Sequence, residues 1–512
     1  MSPETSRSEI LIVGAGPTGL VLALGLALRG VPFRIIDRNA GPGQASRAMA
    51  VQARTLEFYR QFGFADEVVQ GGIRMEILHL REAGEEVARL TLGNLGEGLS
   101  PYPFVLSFTQ DDHERFLTQK LQALGVSVEW NVELKEFSDD GSTVRCLLDQ
   151  SGSEEVAGFA YLCGCDGASS TVRRDLKIPF SGGTYDQRFY VADVKIAGEP
   201  SSDFFINLSG RELGIMLPVH TDSKRLIGIM PEALSNRTDV SFDDLRLDAE
   251  KLMQIQVEEV HWFSAYYVHH RVAEAFRVGR AFLLGDAGHV HSPAGGQGMN
   301  TAIGDAINLA WKLAAVMQGR APDTILDSYE AERIDFARAL VRTTDRVFRG
   351  MTDRGAGGKI LRTWLMPHLL PLLSHLPRGR RTIFRTVSQT RIAYRHSPLS
   401  QGKAGLVHGG DRLPWVLANG LDNYDPLKTL DWQVHVYGEL NASFISAAQT
   451  LGFAVTAFQW TVAAANAGLE RNAFYLIRPD GYVALASPTQ DAAILKEFAS
   501  KQNLRFTPSL SA

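Results

Sequence analysis

The sequence predicts an α/β fold: a doubly wound parallel sheet, interrupted by an antiparallel-sheet insertion and followed by a separate, compact α/β unit. Three observations carry this. Short, uniformly apolar runs such as Ile10 to Val13 and Ala281 to Leu284 end in glycine or aspartate and lead into helical patterns, as strands buried on both faces do. From Ile178 to about His270 the pattern changes to short alternating strands separated by turn clusters such as Glu199-Pro-Ser-Ser202. From Gly402 onward, strand-like runs and helices alternate again. At 512 residues the chain is too long for one core, and two or three domains are expected.

The first element is a strand from Glu9 to Val13. Gly14-Ala-Gly16-Pro17-Thr18-Gly19 follows, then an apolar helix ending near Arg29-Gly30, and a strand, Phe33 to Ile36, that runs into Asp37 and Arg38. Strand, glycine turn, helix, strand and acid in that order make a dinucleotide fingerprint. The glycines let a pyrophosphate sit on the helix terminus, and Asp37 can accept from a ribose 2′-hydroxyl. An acid at this place favours an unphosphorylated adenosine ribose, FAD or NAD, over NADP.

The loop from Gly41 to Gln52 carries Arg47 just beyond the fingerprint, before a helix from Thr55 to Phe62. Gln110 opens a helix running to Leu124, and a strand pair, Ser127 to Phe137 and Thr143 to Leu148, turns at Asp139-Asp140-Gly141. Ala160 to Cys165 reads as another buried strand; it ends in Asp166-Gly167 and leads to a serine-capped helix with Arg173. Within the insertion the strands are Tyr190 to Ile196, Asp203 to Leu208, Gly214 to Val219 and Arg225 to Met230.

Arg280 to Asn300 is the stretch around which the chain is organised. The apolar run Ala281 to Leu284 ends in Gly285-Asp286, placing a carboxylate at the carboxyl end of a strand, where open α/β sheets bind ligands. After Pro293, Gly295, Gly296 and Gly298 allow the backbone to approach a flat ligand. A helix then starts near Met299, with Ile303, Ile307, Ala310, Ala314 and Met317 at helical spacing. Its amino terminus offers free N–H groups and partial positive charge. A carboxylate for hydroxyls, a close-approach backbone and a positive helix end suit a ribityl chain running into an isoalloxazine ring.

A long helix is expected over Asp323 to Phe348, then an apolar and basic connector from Arg349 to Pro398, with the arginines Arg378 to Arg381 solvated. The final unit holds strands at Asp431 to Tyr437 and Ala454 to Trp460, a hairpin over Phe474 to Ala486 and a helix near Gln490 to Lys501. A net charge of -5 gives no reason to expect nucleic acid or an anionic membrane as partner. Ile10 to Leu28 is long and apolar enough to span a membrane, but its glycines break it in the middle. Three cysteines, Cys146, Cys163 and Cys165, argue for a reducing compartment, and a cytoplasmic protein is expected.

Gly14-x-Gly16-x-x-Gly19, Cys165-Asp166-Gly167 with Arg173, and Gly285-Asp286-Ala-x-His289 through Pro293 to Asn300 occur in one order. With Asn308-Leu-Ala-Trp-Lys-Leu313 and Ser328-Tyr-Glu-x-Glu-Arg333, they resemble the single-component FAD-dependent aromatic hydroxylases, the group of para-hydroxybenzoate and phenol hydroxylases. The resemblance implies a Rossmann-like FAD-binding domain over residues 1–177 and 276–348. It implies a substrate-binding sheet domain over 178–275, a helical connector over 349–401, and a thioredoxin-like domain over 402–512 that lacks the redox cysteine pair.

It also implies roles. Gly14, Gly16, Pro17, Thr18 and Gly19 would hold the pyrophosphate, and Asp37, with Arg38, the adenosine ribose. Arg47 and Gln110 would reach the phosphate and ribityl region, with Leu134 beside the cofactor. Gly285-Asp286 would bind a ribityl hydroxyl, and Pro293, Gly295, Gly296, Gly298, Met299 and Asn300 would line the isoalloxazine. Asp166-Gly167 belongs to the region shared with visiting NADPH or NADH. Arg47, Pro293 and Gly295 are the expected catalytic residues. The family more often has glutamate at the position of Asp37; the shorter acid serves the same hydroxyl.

By this resemblance NAD(P)H reduces the flavin, O2 adds to give a C4a-hydroperoxide, and an oxygen atom passes to a phenolic or polycyclic aromatic ring. The partners are then a small aromatic substrate and, at most, a second copy of the chain. His220, His289 and Tyr266 are candidates near the substrate, none assigned as base. A Baeyer–Villiger or epoxidising monooxygenase, or a flavin-bearing aromatic-binding protein, are alternatives on the same scaffold. A halogenase would carry a Trp-x-Trp-x-Ile-Pro segment, absent here.

Overall fold

A computed structural model describes residues 9–43, 48–198, 201–209, 212–220, 222–292, 294–352 and 376–505. At its centre the apolar strand Ile10–Val13 pairs in parallel with Phe33–Asp37 on one side and Tyr161–Gly164 on the other. Glu129–Trp130 extends the sheet beyond Phe33–Asp37, and Ala281–Leu283 beyond Tyr161–Gly164, with antiparallel Arg277–Val278 at that edge. The strand order therefore reverses at Ile10–Val13, so a crevice opens at its carboxyl end. The helices Pro17–Ala27 and Gly298–Met317 pack against each other, and a Cβ on Gly25 would stand 2.7 Å from that of Ala310.

The expected strand from Ser127 to Phe137 is two strands. Asn131 adopts a left-handed conformation (φ 59°), so Glu129–Trp130 stays in the parallel sheet while Val132–Asp139 turns into a meander with Val144–Gln150 and Ser153–Phe159. Asparagine tolerates that conformation through local hydrogen bonding.

The antiparallel region forms one side of an eight-stranded sheet. Its order is His289–Val290, Val257–Ala273, Phe180–Ile196, Ser223–Ile229, Glu212–His220, Phe204–Ser209, Ile77–Glu82 and Glu85–Thr91. The last two are a hairpin turned at Ala83-Gly84, both at positive φ; it docks in parallel on Phe204–Ser209. Neither this hairpin nor the 17-residue strand Val257–Ala273 is among the strands expected from the sequence. The long strand alternates poorly because most of its residues are half-buried on either face.

The long helix runs from Asp327 to Thr352, preceded by a 3₁₀ turn over Asp323–Leu326. Of the connector, the helix Pro377–Val387 lies within the described residues, and 353–375 lie outside them. The final unit pairs Gln433–Tyr437 in parallel with Ala454–Phe458 and antiparallel with Phe474–Ile477, which pairs in turn with Val483–Ser487; Ala492–Lys501 closes it. This order fits the thioredoxin-like expectation.

Buried charge docks that unit. Glu332 takes two bonds from Arg478 (2.6 and 2.9 Å) and one each from Lys312, Asn308 and Ser397. Arg478 also pairs with Asp480, which accepts from the Trp311 indole. Glu57 is held in the same way by Arg412, Arg54 and Ser100. Burial alone would raise both glutamates, but their arginine partners hold them below the usual carboxylate range.

Removing one partner strands the other charges, at a cost of roughly 3–5 kcal/mol. Arg478→Ala should therefore lower stability by about that amount, read from urea unfolding. Because the folded pKa values of Glu57 and Glu332 are depressed, their stabilisation is complete above the ordinary glutamate range. It should be lost progressively as pH falls below 4.5, and a Tm series from pH 6 to 3 checks this.

Candidate functional site

The first glycine turn is shaped by contact. Gly14 (φ 104°) donates to the Ile36 carbonyl, and a Cβ there would lie 2.3 Å from the Cys165 carbonyl oxygen. A Cβ on Gly19 would lie 1.9 Å from the Gly14 oxygen. Gly16 differs: no atom comes nearer than the Glu114 carboxylate, 4.0 Å from its Cβ position. Gly14 and Gly19 are thus required by the protein's own packing, and Gly16 faces open space. Among the described residues no side chain caps the Pro17–Ala27 helix, so its first N–H groups point into the crevice.

Asp37 is half-buried and anchored. Its Oδ2 accepts the Ala15 N–H (2.7 Å) and its Oδ1 the Asn39 N–H (2.8 Å), so the carboxylate stands at the strand end beside the turn. Arg38 is exposed. Gln110 donates to Glu114, whose other oxygen accepts the Gly43 N–H; burial pushes the Glu114 carboxyl up. Leu134 is buried in the core opposite Leu148 and offers the crevice no polar atom. Arg47 and Pro293 lie outside the described residues.

Asp166 uses Oδ2 to accept the Thr171 and Val172 N–H groups, opening a short helix, and Gly167 makes the turn at φ 75°. Asp166 Oδ1 is buried without a described partner. Burial raises its carboxyl, although the Ser170 hydroxyl and backbone donors oppose this.

The central stretch meets the first glycine turn directly. A Cβ on Gly285 (φ 58°) would stand 2.6 Å from the Thr18 hydroxyl, so the strand end and the first helix touch. The Gly285 N–H donates to Asp305 Oδ2 (3.0 Å), which also takes the His289 imidazole at 2.8 Å, while Arg333 holds Oδ1 at 2.6 Å. Burial alone would raise Asp305; Arg333 and His289 hold it below the usual range. Asp286 is exposed at the strand end. His289 is therefore committed to a buried pair, while His220 is exposed and stands 3.9 Å from Asp112.

Gly295 and Gly296 are both at positive φ, and a Cβ on Gly296 would meet that of Ala50 at 2.7 Å. Asn300 makes four bonds through its side chain: from Gln52 N–H and the Thr55 hydroxyl, and to the Ala50 and Gly296 carbonyls. It locks the glycine loop to residues 50–55. The helix Gly298–Met317 also starts without a described side-chain cap, with Met299 buried in its first turn.

Gln52, Asp305 and His291 belong to the site without having been singled out from the sequence, where Arg333 stands only as the end of the Ser328 to Arg333 motif. A visible signal for Asp305 is an acid within the apolar spacing Ile303, Ala306, Ile307 and Ala310; Gln52 and His291 carry no such pattern.

The residues present fit FAD. Two uncapped helix ends, one beside Gly16 and one behind Gly295, suit a pyrophosphate and an electron-rich ring edge. Gln52, 1% exposed, keeps its Oε1 without a described partner next to the glycine loop, an acceptor for a ring N–H. Gly16→Ala should consequently fold with stability within about 0.5 kcal/mol of the parent, since its φ of -72° suits alanine. FAD affinity should fall at least roughly tenfold, measured by flavin retained on gel filtration. Gly19→Ala should instead lower the melting temperature.

A family model described as FAD binding domain matches residues 7–344. The chain is 37% identical over 429 residues to 6-methylpretetramide 4-monooxygenase of Streptomyces rimosus, covering 80% of this chain and 74% of that one. It is 30% identical over 496 residues to a flavin-dependent monooxygenase of Mycobacteroides abscessus, covering 93% and 96%. Its fold matches that of OxyS anhydrotetracycline hydroxylase from Streptomyces rimosus with a TM-score of 0.79 at 26% identity, over 98% and 99% of the two chains. No helix among the described residues is long and apolar enough to cross a membrane. Fingerprint, glycine loop, extent of match and overall fold agree, and the chain belongs to the FAD-dependent aromatic monooxygenases.

Proposed function

We propose that this protein hydroxylates a phenolic or polycyclic aromatic substrate, using NAD(P)H as reductant and O2 as oxidant at its FAD. The observation that carries the reading is the uncapped amino end of the Gly298–Met317 helix, set behind Gly295 and Gly296 and locked by Asn300. Bound FAD supplies the redox chemistry and the activation of oxygen.

The chain's own residues do the remainder. Gly14, Gly16 and Gly19 admit the pyrophosphate to the Pro17–Ala27 helix end, and Asp37 accepts from the adenosine ribose. Gln110 reaches the phosphate and ribityl region, and Asp286 takes a ribityl hydroxyl. Arg47 and Pro293 are assigned by family resemblance. The helix end behind Gly298 favours negative charge on the ring edge facing Met299 and Asn300. Asp166 and Gly167 lie where a visiting nicotinamide nucleotide would approach, and Asp166 Oδ1 is available as an acceptor. The eight-stranded sheet is the substrate-binding wall, and the relatives named for tetracycline-type compounds favour a polycyclic ligand.

Holoenzyme given NADH or NADPH in an oxygen electrode should oxidise the nucleotide several-fold faster when a polycyclic phenol is added, forming one oxygenated product per O2. Absence of stimulation by any aromatic compound that binds would favour the flavin-bearing binding protein. A ring-expanded or epoxide product would favour the other monooxygenase chemistries.

A further inference from the structure

The wall beside the glycine loop contains two imidazoles with unpartnered nitrogens. Arg271 pairs with Val290 and Val272 with His289. His270 precedes this pairing on one strand and His291 follows it on the other. Gly183 pairs with His270, so the imidazole lies over bare backbone, with its ring atoms 3.0 Å from the Gly183 Cβ position. The Tyr185 ring packs on His270 with centroids 4.7 Å apart. The Tyr185 hydroxyl donates to Asp345 on the long helix, so this face of the sheet looks toward the flavin domain. His291 closes the group: its ring stands 3.8 Å from the Gly298 Cβ position, at the first turn of the site helix.

His291 bonds through Nδ1 to the Ser292 carbonyl (2.8 Å). A carbonyl only accepts, so Nδ1 carries the hydrogen and Nε2 presents a bare lone pair. That Nε2 is buried with no described partner, as is His270 Nδ1. Buried polar atoms are almost always paired, and one left unmade costs about 1–3 kcal/mol. The missing partner of His291 must be a donor. Burial holds His291 down to about 4, so it stays neutral at ordinary pH and keeps that lone pair available. Tyr266, half-buried two residues before Val268 on the same strand, packs on the cluster of Tyr185, Phe189 and Val268.

We propose that His291 Nε2 accepts the hydroxyl hydrogen of the aromatic substrate, and so selects hydroxylated rings over their ethers. This rests on the monooxygenase reading above, but it concerns recognition and is tested by binding. Holoenzyme is titrated with 2-naphthol and with 2-methoxynaphthalene, following flavin absorbance and naphthalene fluorescence.

The parent should bind the naphthol at least roughly tenfold more tightly, the value of one hydrogen bond to a buried acceptor. His291→Phe should remove that preference by weakening the naphthol alone. His291→Gln, which keeps an acceptor, should restore part of it and guards against misfolding of the phenylalanine variant. FAD content is measured in both, so that loss of cofactor is told apart from loss of the naphthol contact. Equal binding of the two compounds by the parent, no binding of either, or a His291→Phe variant that loses FAD while keeping the naphthol preference would each overturn the proposal. Should the preference hold while no aromatic stimulates NAD(P)H oxidation, the oxygenation reading fails and this one stands.

Discussion

The site depends on one buried carboxylate. Asp305 sits on the Gly298–Met317 helix, 1% exposed, and binds Gly285 at the end of the neighbouring strand, His289 four residues later, and Arg333 from the long helix. Arg333 returns to the same helix through the Thr301 carbonyl and reaches the Tyr394 hydroxyl. A lone charge at that depth would be prohibitive, but a carboxylate with three donors on two oxygens is satisfied. The consequence is geometric. Strand end, glycine loop and helix terminus cannot drift apart, so the positive helix end is held in place before any ligand arrives. Gly304 belongs to this arrangement, because a Cβ there would stand 3.1 Å from the Arg333 guanidinium.

The same device recurs toward the carboxyl end. Glu332 adjoins Arg333, and its partners Lys312 and Asn308 lie on the site helix while Arg478 comes from the final unit. Arg412 reaches Glu57 on the Ala53–Phe62 helix, whose Thr55 hydroxyl donates to Asn300. The final unit has no cysteine, and its visible contribution is a set of arginines that satisfy acids under the flavin domain. Trp311 against Trp432, edge to face at 5.5 Å, seals the joint with apolar surface.

The eight-stranded sheet is tied to the glycine loop in a different way. Its strand Val257–Ala273 is continued sideways by His289–Val290, which belongs to the stretch that also carries Gly285 and the glycine loop. The sheet and the stretch that carries the glycine loop therefore meet at one edge. The hairpin Ile77–Glu82 and Glu85–Thr91, far earlier in the chain, completes the opposite edge through a parallel pairing that no local pattern announces.

The sequence alone determined the elements whose signals are local. The glycine turn with Asp37, the apolar strands and the glycine loop before Met299 were all legible, because positive φ, close approach and two-sided burial leave marks within a few residues. The motifs Asn308 to Leu313 and Ser328 to Arg333 were visible as a family resemblance, but their purpose was not. Only the tertiary structure showed that Asn308, Lys312, Glu332 and Arg333 are partners in buried pairing, and that Asn300 locks a loop through its side chain. The same holds for Gln52 and His291. A buried polar atom is defined by what surrounds it, and those surroundings come from segments up to hundreds of residues apart.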